Sequence, residues 1–299
     1  MVNRRSDTDL GNTQSAPRQF RSNPALLLQM TADSLLCGLK TQLVDVADLQ
    51  FQADLAHPPD KNDLYKSPTS ADGWVQAHNS IRGELSQMRL LIVHLGERAL
   101  EPWEIAAMRA WWAAHKVHVH EHHHNEDGIV TPWLSKRVLL PERLTSDHGL
   151  ISAHEGVVDA LFASSFNAKQ LEGVWAQYEN IMLPHLIEEE QMALPLVRAY
   201  FTPAEYKAIT NKIIAASGKA PLGAFFYWQA SKDSNAGDTT GITEAGIKKC
   251  VLAFLKAEGA PAPLRPLIWH LQIKSASRAY NKASARHAAA LFSGKQPMQ

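Results

Sequence analysis

The chain has 299 residues, 45% of them hydrophobic and 20% charged, with thirty basic residues against thirty acidic ones. Such a composition buries a sizeable core, and zero net charge gives no overall electrostatic attraction to nucleic acid or a membrane surface. Cys37 and Cys250 match no zinc or redox spacing, no apolar run nears the roughly 18–20 residues of a membrane span, and no signal-peptide core follows the start, so a cytoplasmic location is expected.

In chain order, residues 1–22 are polar and expected to be disordered, 23–55 suggest a helix, and "HPPDKNDLYKSPTSADG" reads as a linker. Four helical patterns follow. The first carries Trp74, His78, Ile81, Leu85, Met88, Ile92 and Leu95 at i, i+4, i+7 spacing. Glu101–Pro102 restarts a helix whose stripe is Trp111, His115, His118, His122, Glu126, Ile129 and Trp133. The third stripe includes Leu150, His154, Val157, Val158 and Leu161. The fourth runs Tyr178, Met182, His185, Glu189, Met192 and Leu196, with Pro184 expected to kink it or free a carbonyl. Beyond them come a flexible loop at 231–241, a short helix near 242–258 and a final helix near 267–292. In that last helix Lys274, Arg278, Lys282 and Arg286 make one positive, solvated stripe. No stretch sustains strand-like alternation, so the fold class is all-α. The expected organisation is an N-terminal extension (1–66), a four-helix bundle (67–202) and a C-terminal helical extension (203–299).

Histidine is the compositional anomaly: 11 of the 14 lie between His78 and His185. The polar interruptions of the apolar stripes are nearly all His or Glu. His122-x3-Glu126-x5-Pro132 is matched by His185-x3-Glu189-x5-Pro195, and each Glu is followed by a second acid, Asp127 or Glu190. Four residues apart on a helix, His and Glu share one face. Neutral imidazole and carboxylate suit iron, zinc or manganese, and a buried Glu is costly unless paired or metal-bound. His78, His122, His154 and His185 also lie at equal depth in an up-down bundle, because the midpoints of successive pairs (100, 138 and near 169) fall in expected turns. On the third helix His154 is preferred to His148 because it sits nearer the centre of the arc of Leu150, Val157, Val158 and Leu161. His115 and His118 read as core or supporting groups, and His120, His123 and His124 as a solvated face.

The elements "HNSIRGEL" (78–85), "HHHNEDGIVTPWL" (122–134), "AHEGVVDAL" (153–161) and "HLIEEEQMALPLV" (185–197) resemble, in order, those of the hemerythrin-like (HHE cation-binding) family. The resemblance covers roughly residues 70–200. It implies an up-down four-helix bundle, here with additional N- and C-terminal helices, holding a non-haem pair of iron ions, with zinc or manganese compatible with the same ligands. It makes His78, His122, His154 and His185 terminal ligands and Glu126 and Glu189 the bridging carboxylates, Glu190 being the alternative to Glu189. Oxygen-carrying hemerythrins place a His-x3-His pair on the third helix, whereas Leu150 and Val158 flank His154 here, so the site is expected to be one imidazole short. The functions implied are binding or sensing of iron, O2 or a related small ligand; enzymatic action on peroxide or NO; or a structural-metal scaffold for a partner that the sequence does not identify.

Overall fold

The computed structural model describes residues 64–138, 140–164, 166–239 and 242–296. The N-terminal stretch, the helix expected over 23–55 and the first part of the linker, 57–63, lie outside the described residues. Within them every regular element is helical, in line with the all-α reading, and no helix is long and apolar enough to cross a membrane.

Helix α1 spans Gly73–Leu95, started by Asp72, whose side chain accepts from the Trp74 N–H at 3.0 Å, and ended at Gly96, which takes φ 63°. Helix α2 spans Pro102–Asn125. Its first turn is closed by reciprocal bonding between Glu101 and Glu104, and Pro102 sits where a missing N–H costs nothing. A π turn, Glu126–Val130, carries α2 into the short α3, Thr131–Leu134. Helices α4 (Glu142–Ala163) and α5 (Ala168–Tyr200) follow, α5 opened by a capping box of Asn167 and Gln170. Pro184 and Pro195 both lie inside α5, so the carbonyls four residues before them lose their intrahelical donors.

The C-terminal extension holds two helices that the periodicity did not single out, α6 (Pro203–Ala216) and α7 (Lys219–Gln229). The short helix expected near 242–258 is α8, Glu244–Ala257. The last expected helix is interrupted by π turns at Trp269–Ile273 and Asn281–Ala285, giving α9 (Leu264–Ile268), α10 (Lys274–Tyr280) and α11 (Arg286–Ser293). A π turn adds a residue to the ladder, so the four-residue spacing expected to align these charges as one stripe is broken between Arg278 and Arg286. Lys274 instead pairs with Glu244 at 3.1 Å.

Helix α7 presses on both α1 and α10. At Gly83 an added Cβ would lie 2.4 Å from the Trp228 ring, and at Gly223 it would lie 2.2 Å from the Ala276 carbonyl oxygen. At either glycine an added side chain would force its neighbour to shift. The stretch at 231–241, expected to be a flexible loop, is tied to α1 where the Ser86 hydroxyl donates to the Asn235 carbonyl at 2.6 Å.

Two apolar clusters bracket a polar layer among α1, α2, α4 and α5. One gathers Trp111, Val119, Ile151, Trp175, Tyr178, Met182 and Leu186; the other gathers Val130, Trp133, Met192, Leu196 and Phe201. On α2 and its π turn the residues between the two clusters are His122–Glu126, and on α5 they include Glu189, with His185 beside Leu186 at the border. The candidate ligands are therefore walled by core on both sides.

Candidate metal centre

Seven side chains from four helices and a π turn converge in this layer. His78 comes from α1, His122 and His123 from the end of α2, Glu126 from the π turn, His148 from α4, and His185 and Glu189 from α5. Two overlapping groups form, each with ligand atoms within 4.8 Å of one another: His78, His122, Glu126 and Glu189; and His123, Glu126, His148 and His185. Each group can hold a metal ion.

The two carboxylates straddle the groups. Glu126 Oε1 lies 3.1 Å from His122 Nε2 and 3.6 Å from His78 Nε2, while its Oε2 lies 3.7 Å from His148 Nε2. Glu189 Oε2 lies 3.3 Å from His78 Nε2, and its Oε1 lies 3.6 Å from His185 Nε2 and 3.8 Å from His148 Nε2. Two ligands each about 2.1 Å from a common cation stand about 3.0–3.4 Å apart in octahedral or tetrahedral arrangement, close to these separations. His123 and His148 stack, with ring centroids 4.1 Å apart and planes 11° apart.

Hydrogen bonding gives a second test of fit. Thirteen buried side-chain nitrogens and oxygens lack a hydrogen-bond partner among the described residues, and eight of them belong to these seven side chains. Buried polar atoms are ordinarily satisfied, so this concentration is consistent with a layer that could hold a cation. The opposite edges of the ligands are held. His78 Nδ1 pairs with Glu190 Oε1 at 2.8 Å, and Arg82 donates to that same oxygen at 2.7 Å. His148 Nδ1 pairs with Asp127 Oδ1 at 3.0 Å, and the Trp74 indole N–H donates to Glu126 Oε1 at 2.8 Å. The second acid after each Glu therefore orients an imidazole from the far side, as carboxylate partners of metal-bound histidine do.

Electrostatics follow from burial and from this mixture of charges. Burial pulls the His78 pKa down, but Glu126, Glu189 and Glu190 outweigh it and hold it well above the ordinary histidine value. His148 is likewise lowered by burial and then lifted to about 9 by Glu189, Glu126 and Asp127. Burial and the neighbouring His122 push His123 well below its ordinary value, and burial lowers His185. Burial raises Glu126 and Glu189, yet the surrounding histidines keep both below the usual carboxylate range. The raised pKa values of His78 and His148 favour their protonated forms, so a metal bound by them would compete with protons.

Five of the six residues chosen from sequence come together: His78, His122, Glu126, His185 and Glu189. His154 does not; it is half-buried and in neither group, and His148 stands in its place. The reason is helical phase. The buried row of α4 is Leu144, His148, Ile151, Glu155, Val158 and Phe162, whereas Leu150 and Val157 are 55% and 46% exposed. The expected solvated position of His123 is also corrected, since it is 5% exposed and faces His148 and His185. It brings a fifth imidazole to a layer expected to be one short. The strict alternation of four- and three-residue steps through His148 could have been read from the sequence. Burial of the His123 row could not, because it depends on α2 having packed neighbours on two sides.

His115 and His118 are satisfied core histidines. Their Nδ1 atoms lie 2.7 and 3.0 Å from Glu84 Oε2, and the Tyr280 hydroxyl donates to Glu84 Oε1 at 2.9 Å. His115 Nε2 reaches the Tyr178 hydroxyl at 3.1 Å, and Glu155 links Tyr178 to His120. Comparison with protein-family models, with curated proteins and with solved structures finds no match to the chain.

Proposed function

We propose that the chain is a hemerythrin-like non-haem di-iron protein, an up-down bundle that binds or senses iron, O2 or a related small ligand. The observation that carries this reading is the pairing of two buried carboxylates, each turning one oxygen to His78 and the other to His148, with five imidazoles around them. His78 and His122 would hold one ion, His123, His148 and His185 the other, and Glu126 and Glu189 would bridge. A pair of redox-active ions supplies reversible electron transfer to a small ligand.

The protein's own contribution is to fix the imidazole edges through Glu190 and Asp127, to fix one bridging oxygen through Trp74, and to exclude bulk water with the two apolar clusters. A void of about 10 Å³ against Glu126, His148 and Glu189 has room for one water-sized ligand, which favours O2, NO or peroxide over a larger molecule on that side.

The test is metal content and spectrum. Protein purified aerobically is expected to contain close to two iron ions per chain and to show visible absorption that bleaches on reduction. Stoichiometric zinc with no such absorption would sink the redox reading and leave a structural-metal scaffold. Turnover of peroxide or NO, lost in Glu126→Ala, would make it an enzyme.

A further inference from the structure

A cavity of about 410 Å³ lies between the α1–α2 face and the C-terminal helices. That volume is in the range of pockets that enclose one small organic ligand. Most of its wall is apolar: Ile213 and Ile214 from α6, Leu222 and Phe225 from α7, Phe254 from α8, and Ile273. Two of its polar groups are already engaged within the wall. Glu121 accepts the Gly218 N–H at 2.6 Å, and Lys207 pairs with Glu258 at 3.5 Å. At the metal-centre end the lining includes His122 and Glu126, whose ligand atoms His122 Nε2 and Glu126 Oε2 are themselves buried behind that wall. The cavity and the metal centre therefore share two side chains. One end of the cavity abuts two side chains of the metal centre, and most of the remaining wall is hydrocarbon.

We propose that this cavity binds an amphipathic organic acid, its apolar body against the C-terminal helices and its carboxylate at the His122–Glu126 end of the metal centre. Charge selects the head group. Two cations held by neutral imidazoles and two bridging carboxylates retain net positive charge, which an anionic oxygen ligand offsets and a neutral one does not. Apolar burial selects the body, since a longer chain removes more hydrocarbon from water at about 0.8 kcal/mol per methylene. The inference rests on the metal pair of the proposed function for its head-group end and on the C-terminal extension for the rest. It gives that extension a role the four metal-bearing helices alone do not require.

The probe is decanoate, with acetate as the short control, added to full-length protein loaded with cobalt(II). Metal content, the cobalt visible bands and heat of binding are recorded on the same sample. Decanoate is expected to shift the bands at concentrations where acetate does not. The variant Ile214→Trp fills the cavity from a residue that is 38% exposed and outside the metal centre. It is expected to keep its cobalt while decanoate binds at least tenfold more weakly. Equal responses to acetate and decanoate, an undiminished decanoate response in Ile214→Trp, or no response in cobalt-loaded protein would each overturn the proposal. Failure to take up metal would be seen in the metal assay alone and would count against the proposed function first.

Discussion

Replacing His148 by alanine sets the phase of α4 against the phase read from its sequence. His148 Nε2 faces Glu126 Oε2 and Glu189 Oε1 at 3.7 and 3.8 Å, so its removal strips one ligand from one of the two ion positions. Structural zinc sites of four ligands gain about 10–16 kcal/mol, or about 3–4 kcal/mol per ligand, so one ion should bind about 10²–10³-fold more weakly. Asp127 also loses the partner it has at 3.0 Å, but at the surface that change is small. His154 is half-buried and faces neither carboxylate, so His154→Ala should leave affinity unchanged and stability within about 0.5 kcal/mol. Competition with a chromophoric chelator, with metal counted per chain before and after, measures both variants. His148→Ala should lose one of two ions first, and His154→Ala neither. Retention of both ions in His148→Ala together with loss in His154→Ala would refute the placement.

Four further outcomes follow from the same contacts. Chelation should destabilise the holoprotein: at free metal about 1,000 times Kd, bound metal adds about 4 kcal/mol, so thermal unfolding with and without EDTA should differ by roughly 8–16 °C. Asp127→Asn should weaken metal binding about 10–100-fold by loosening His148, while Ser146→Ala, at an exposed position on the same helix, should not; the chelator competition reads both. Glu84 is raised by burial but brought down to about 2 by His118 and His115. Its folded pKa is thus depressed, so its contribution is complete above about pH 4.5 and is lost as pH falls towards 2. At about 1.4 kcal/mol per pH unit this amounts to roughly 3 kcal/mol, visible by urea unfolding of metal-free protein and absent in Glu84→Gln. Gly83→Ala places a methyl 2.4 Å from the Trp228 ring and should cost about 1–3 kcal/mol. That cost should shrink in a Trp228→Ala background, and an unchanged cost would show that the contact is not its origin.

The helical class, the polar layer and most of its members are legible in the residues alone. His122–Glu126 and His185–Glu189 repeat the same spacing on stripes that are otherwise apolar, and a buried carboxylate in such a stripe requires a partner wherever the helix docks. Which histidines complete the set depends on the docking itself. On α4 the choice between His148 and His154 is a rotation of roughly 120°, and the apolar residues at Leu150 and Val157 pull a sequence-based arc away from the row that is buried. The six-residue difference in depth, about 9 Å along the axis, is too small for turn midpoints to resolve. On α2 both His122 and His123 face the centre because α2 is packed on two sides, and the π turn at Glu126–Val130 then resets the phase so that Val130 and Trp133 rejoin the core. The cavity beside His122 was also invisible in the sequence. It lies between the α1–α2 face and parts of α6, α7 and α8, and no local pattern encodes the space left between separately buried helices.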